Sequence, residues 1–169
     1  MPLSSRFDYS HLAKKFSIAI PDNLRLTDSI YPDAIEETGK FAGLSWDRVD
    51  SGLLRNEYDV LFFFSPEAMH YYFPAYMRCA NEELATTRAM KVMDLPLNTL
   101  LGQMFMSNND VFNKWRRDRW RIFSQAQRDL ILDWLDWLFS EFTNHSLEAL
   151  DNLVSARQAF KDGVWWDKC

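Results

Sequence analysis

The stretch FFFSPEAMHYYFPAY, residues 62–76, decides how this chain folds. Its crowded aromatics are either a binding site or the inside of a protein. Ser65-Pro66-Glu67 supplies a helix start. The serine hydroxyl can accept a free backbone N–H, proline's fixed φ suits the first helical position, and an acid there favours the positive end of the helix dipole. From that point Met69, Tyr72, Phe73, Tyr76 and Ala80 recur at helical spacing and make one continuous apolar face. Pro74 removes a backbone donor and predicts a kink, yet the face keeps its phase across it. The expectation is a kinked helix over about 66–84, with Phe62, Phe63 and Phe64 packed beneath its start. Most of the aromatic run is then core.

A second helix begins at Ser124, where Gln127 completes a capping box, and runs to about Phe142. Asp129, Asp133, Asp136 and Ser140 form a narrow polar stripe amid Trp134, Leu135, Trp137, Leu138 and other apolar residues. So wide an apolar arc predicts the central helix of the fold. A last helix, capped by Ser146, carries Leu147, Leu150 and Val154 and ends before Gly163. Upstream, Ser45 precedes Trp46, Val49 and Leu53 at amphipathic spacing. Residues 1–44, punctuated by Pro21, Pro32, Gly39 and Gly43, read as irregular apart from a short helix at about Tyr9 to Phe16. Residues 97–106 fit a helix or a short strand. The fold class is therefore mainly α: a single compact domain of about five to seven helices, with room for a small two-stranded β element pairing 60–64 with 100–106. Its parts are an irregular acidic segment 1–44, a helical core 45–162 and a tail 163–169.

Composition agrees. Of 169 residues 47% are apolar and 25% charged, the balance of a globular chain, and the seven tryptophans point to an aromatic-rich core. No apolar run approaches the roughly 18 residues of a membrane span. The N-terminus lacks the uninterrupted apolar stretch of a signal peptide. Cys79 and Cys169 do not form a disulfide framework, so a cytoplasmic location is expected.

Signatures for chemistry are sparse. Glu67 and His70 make an E-x-x-H pair, but a di-iron site needs a second copy, and His145 with Glu148 offers only the reversed order. No metal and no cofactor are expected. Zinc-protease, redox, nucleophile-elbow and phosphate-loop motifs are absent. Cys79 lies beside the apolar helix face and reads as inert core. If the protein is an enzyme, the group to inspect is Glu67, His70, Tyr71 and Arg78. The stretch KWRRDRWRIF (114–123) interleaves arginines with Trp115 and Trp120, as a nucleic-acid-binding regulatory module using 114–121 would. The plainer account buries Trp115 and Phe112 and lets the arginines neutralise the acids at 129, 133 and 136. An isoelectric point near 5.2 argues against nucleic acid.

The net charge of −5 is unevenly spread, with acids concentrated between residues 28 and 59. Aromatics lie among them, which is the composition of a protein-binding hot spot inside a charged rim. The candidate partner-binding residues are Asp28, Tyr31, Asp33, Glu36, Glu37, Trp46, Asp47, Asp50 and Tyr58, with His70, Tyr71 and Arg78 as secondary candidates.

VLFFFSPEAMHYYFPAYM (60–77) resembles a recurrent block of a family of small uncharacterised bacterial proteins: a phenylalanine run, Thr/Ser-Pro-Glu-Ala, an aromatic pair and Pro-Ala-Tyr. RIFSQAQRDLILDWLDWL (121–138) resembles that family's second block, and Trp46 lies one helix ahead of the first. The likeness spans about 45–140 and implies a common fold, with no catalytic residues to carry over. In size, acidity and expected location the chain is similar in type to the immunity proteins that accompany bacterial polymorphic toxins. That likeness implies a cognate toxin or effector with a basic surface, neutralised by occlusion of its active site.

Overall fold

The computed structural model describes residues 7–144 and 152–166. Ser65 starts the long helix as its sequence demands: its hydroxyl accepts the Ala68 N–H at 3.0 Å and donates to the Arg25 carbonyl at 2.6 Å. One side chain thus caps the helix and ties it to the N-terminal segment.

The described helices are α1 (Tyr9–Leu12), α2 (Pro32–Gly39), α3 (Ser51–Asn56), α4 (Pro66–Thr87), α5 (Asp94–Gly102), α6 (Asp110–Trp120), α7 (Gln125–Asn144) and α8 (Leu153–Asp162), with 3₁₀ turns at Trp46–Arg48 and Val60–Phe62. They outnumber the five to seven expected, and the mainly α class holds. Strand pairing near 60–64 and 100–106 does not form: the first segment is a 3₁₀ turn and the second ends a helix. Phe64 instead makes one isolated antiparallel bridge to Thr27.

α4 continues through Pro74 to Thr87, and Arg88 at φ 51 closes it in the left-handed region. Met69, Tyr72, Phe73, Tyr76 and Ala80 are all buried, and so are Tyr71, Ala75, Met77 and Cys79 from the flanks. A helix buried around most of its circumference is central, and α1, α3, α5, α6 and the 46–48 turn all pack on α4. This corrects the expectation for α7. Its partner is chiefly α8, and its core side reaches α4 through Trp134 against Phe73. The polar stripe explains the difference: Asp129 and Asp133 are exposed, while Asp136 is covered by Arg157 and Lys161 of α8.

Other boundaries follow local chemistry. The helix expected from Ser45 is split, because Asp50 accepts the Leu53 N–H at 2.8 Å and starts α3 afresh after Val49 turns extended. Phe64 is buried beneath α4, but Phe63 is half-buried and Phe62 exposed. Trp165 and Trp166 close the core: their indoles donate to the carbonyls of Met104 at 2.7 Å and Trp120 at 3.2 Å. Ser146, Leu147 and Leu150, the expected start of the last helix, lie outside the described residues, as do His145 and Glu148. No helix among the described residues is long and apolar enough to cross a membrane.

Candidate functional site

Most of the acids of segment 28–59 gather around α2. Proline at its first position and Asp33 in its first turn start this helix. Ala34 and Thr38 face inward, with the Thr38 hydroxyl donating back to the Ala34 carbonyl at 2.7 Å. The opposite face is left to solvent. Ile30, Tyr31 and Ile35 are 86%, 73% and 53% exposed, beside the exposed carboxylates of Asp33 and Glu36. Neither acid forms an ion pair among the described residues, whereas Asp28 makes a solvent-exposed pair with Arg25 at 2.7 Å.

At the far end of α2, Glu37 is half-buried near Asp59 and Glu57. Burial first, then these neighbouring carboxylates, push its carboxyl above the usual range. Lys40 bridges to Glu57 at 2.7 Å, and Tyr58 is exposed at the same edge. Beyond it Phe62 stacks nearly parallel on Trp115 of α6, with centroids 6.4 Å apart, and Phe112 and Val111 are exposed one turn earlier on that helix. Ile35 and the exposed acids Asp33 and Glu36 therefore lie on the solvent side of α2, with Ile30 and Tyr31 exposed just before it. Ile30 and Ile35 escape the sequence-based choice because aliphatic residues in an apparently irregular segment carry no flag. The helix start at Pro32-Asp33, which repeats the logic of Pro66-Glu67, is the signal that would have placed them outward.

Three candidates leave this surface. Trp46 is fully buried, and its indole donates to the Ser17 carbonyl at 2.9 Å, so it is a packing residue and not an anchor for a partner. Asp47 is half-buried, with one carboxylate oxygen enclosed and without a hydrogen bond among the described residues. Asp50 is exposed but holds the start of α3.

The secondary candidates divide as well. Glu67, His70 and Tyr71 line a groove of about 430 Å³ with Phe16, Leu24 and Ile122. Arg78 lies elsewhere, donating to the Val49 carbonyl and pairing with Glu82 at 2.9 Å, so the four-residue catalytic group is not assembled. The Tyr71 hydroxyl donates to the Ile18 carbonyl at 2.7 Å. His70 packs edge-on against Phe123 at 4.7 Å, and its Nε2 lies 3.0 Å from the Gln127 side-chain oxygen. That amide can point only one way. The Ser124 N–H donates to its oxygen at 2.9 Å, and its NH₂ donates to the Lys15 carbonyl at 2.9 Å. Nε2 therefore carries a proton, and in the neutral tautomer Nδ1 is the acceptor. The capping box thus orients a histidine 57 residues away. No group of three or more potential metal ligands occurs among the described residues. Burial pushes the Cys79 thiol up to about 12.

The basic stretch is dispersed by its own helix. Arg119 is buried, stacks over Trp115 at 3.8 Å and donates to the Phe64 carbonyl; burial pulls its guanidinium down to about 10. Arg116 donates to the Phe105 carbonyl at 2.7 Å. Trp120 is buried with its indole on the Gln103 carbonyl at 2.9 Å. Phe112 is exposed and not core, and Asp136 is neutralised from α8, not from α6. Arg116 and Arg119 serve backbone carbonyls at helix junctions.

The class defined by these features is an all-helical protein with an aromatic core and an exposed acidic, apolar face. Within that class the chain belongs to the family of unknown function DUF6714, whose profile matches residues 5–167. No curated protein and no solved structure matches it.

Proposed function

We propose that this protein is a binding protein of the immunity type, which neutralises a toxic bacterial protein by docking the α2 face over its basic active site. The observation that carries this is the exposure of Ile30, Tyr31 and Ile35 beside the exposed carboxylates of Asp33 and Glu36, which form no ion pair among the described residues. Soluble proteins seldom leave large apolar side chains clustered in water without a use for them. Apolar anchors supply the affinity, and the surrounding acids steer and select a basic partner. Asp28, Glu37 and Tyr58 extend the rim, and no covalent chemistry is needed.

The test is co-expression with each protein encoded by the neighbouring genes that is toxic when expressed alone. Wild-type protein restores growth to cells poisoned by that partner, and Tyr31→Ala combined with Ile35→Ala does not, although the variant folds and accumulates normally. Growth restored equally by both overturns the α2 face. Growth restored by neither overturns the immunity function.

A further inference from the structure

A second site lies on the other side of the segment that crosses the start of α4. Here the backbone at 15–18 is held as a wall: the carbonyls of Lys15, Ser17 and Ile18 accept from Gln127, Trp46 and Tyr71. Between this wall and the first turns of α4 runs the groove of about 430 Å³, walled by Phe16, Pro21, Leu24, Tyr71 and Ile122. That volume falls within the few hundred Å³ typical of small-molecule sites, and a wall tied at three carbonyls is formed before any ligand arrives.

Its polar lining is Ser17, Asn23, Glu67, His70 and Tyr71, and Glu67 is the acid among them. Glu67 and His70 sit one helical turn apart on α4, both lining the groove. The Glu67 carboxylate is exposed and makes no ion pair or hydrogen bond among the described residues. With Nε2 donating to Gln127, the neutral tautomer of His70 has the lone pair of Nδ1 to offer. The Tyr71 hydroxyl is already donating to Ile18. The groove thus sets one carboxylate, with a histidine a turn away, against apolar walls, with the neutral side chains of Ser17 and Asn23 at its edge. We propose that it binds a small apolar molecule carrying a protonated amine, with the ammonium on Glu67 and His70 and the apolar body against Phe16, Leu24 and Ile122. This site is separate from the α2 face and does not depend on it.

The test uses two probes of the same shape, 2-phenylethylamine and 2-phenylethanol, titrated into the full chain and followed by the NMR signals of the Ile122 methyls and the His70 ring nitrogens. The amine binds saturably and at least about fivefold tighter than the alcohol, and it shifts the Nδ1 resonance; a discrimination of that size is what one ion pair at a half-open site supplies. Glu67→Gln, at an exposed position, removes that preference and leaves the alcohol's affinity unchanged. Ile122→Trp, which fills the groove from its rim, weakens both probes. Equal affinity for the two probes, an amine preference that survives Glu67→Gln, or the absence of saturable shifts overturns the proposal.

Discussion

Cys79 and Tyr76 show how burial sets chemistry at single residues. The Cys79 sulfur lies 3.6 Å from the Val49 carbonyl inside the core, and burial pushes the thiol up to about 12, keeping it protonated. Since the thiolate is the reactive form, Cys79 resists thiol–disulfide exchange at pH 8 in the native protein and reacts only on unfolding. A Cys169→Ser variant treated with a chromogenic disulfide reagent, with and without denaturant, measures this. Tyr76 is fully buried with its hydroxyl unpartnered among the described residues. Tyr76→Phe removes a desolvated donor without opening a cavity, so thermal unfolding should show unchanged or raised stability, by about 1 kcal/mol at most. Tyr71→Phe differs, because that hydroxyl is satisfied by Ile18. Its loss leaves a carbonyl unpaired and costs about 1 kcal/mol.

At the scale of elements, caps and periodicity were readable in the sequence and topology was not. Ser65 and the 69/72/73/76/80 face specified α4, and the Ser124–Gln127 box specified α7 to within a residue or two of its observed start. The rank of the two helices was misjudged because the width of an apolar arc does not reveal what covers it. α7 lies against α8, while α4 gathers most of the other elements. α2 was missed because Tyr31 offers no capping side chain, and its short amphipathic face follows a stretch of turn residues. The acidic composition of the site was visible along the chain. Its removal of Trp46 to the core was not, since burial of an indole depends on a carbonyl 29 residues away. Ser65→Ala breaks both the cap and the tie to Arg25. It should lower stability by about 1–3 kcal/mol, a fall of several degrees in Tm. Asp50→Ala, at an exposed cap, costs about 1 kcal/mol or less.

For the whole molecule, two carboxylates give opposite pH signatures. Burial pushes Asp136 up, but hydrogen bonds from Arg157 and Lys161 outweigh it and hold its carboxyl below the usual range. A depressed folded value stabilises above the unfolded value and is lost as pH falls through the folded one. Asp136→Asn therefore lowers Tm at neutral pH, and the deficit closes under acid conditions. Glu37 is the reverse: its raised value means that the charged form is penalised in the native state, a penalty relieved as pH falls through the folded value. Glu37→Gln raises Tm near neutrality and makes little difference in acid. Thermal scans of both variants across the carboxylate range check the two signs together.

The side chains of Asp33 and Glu36 make no hydrogen bond or ion pair among the described residues, and Asp33 contributes to the fold only through the dipole of α2. Reversing their charge therefore costs about 1–2 kcal/mol and leaves the core intact. Titration calorimetry of the basic partner against wild type and an Asp33→Lys, Glu36→Lys variant tests the central claim most directly. The account predicts that affinity falls by at least about tenfold, that raising salt weakens the wild type more than the variant, and that Tm falls by no more than a few degrees. The same change placed at Asp129 on α7 leaves binding intact. Equal affinity and equal salt dependence for wild type and the α2 variant would contradict it.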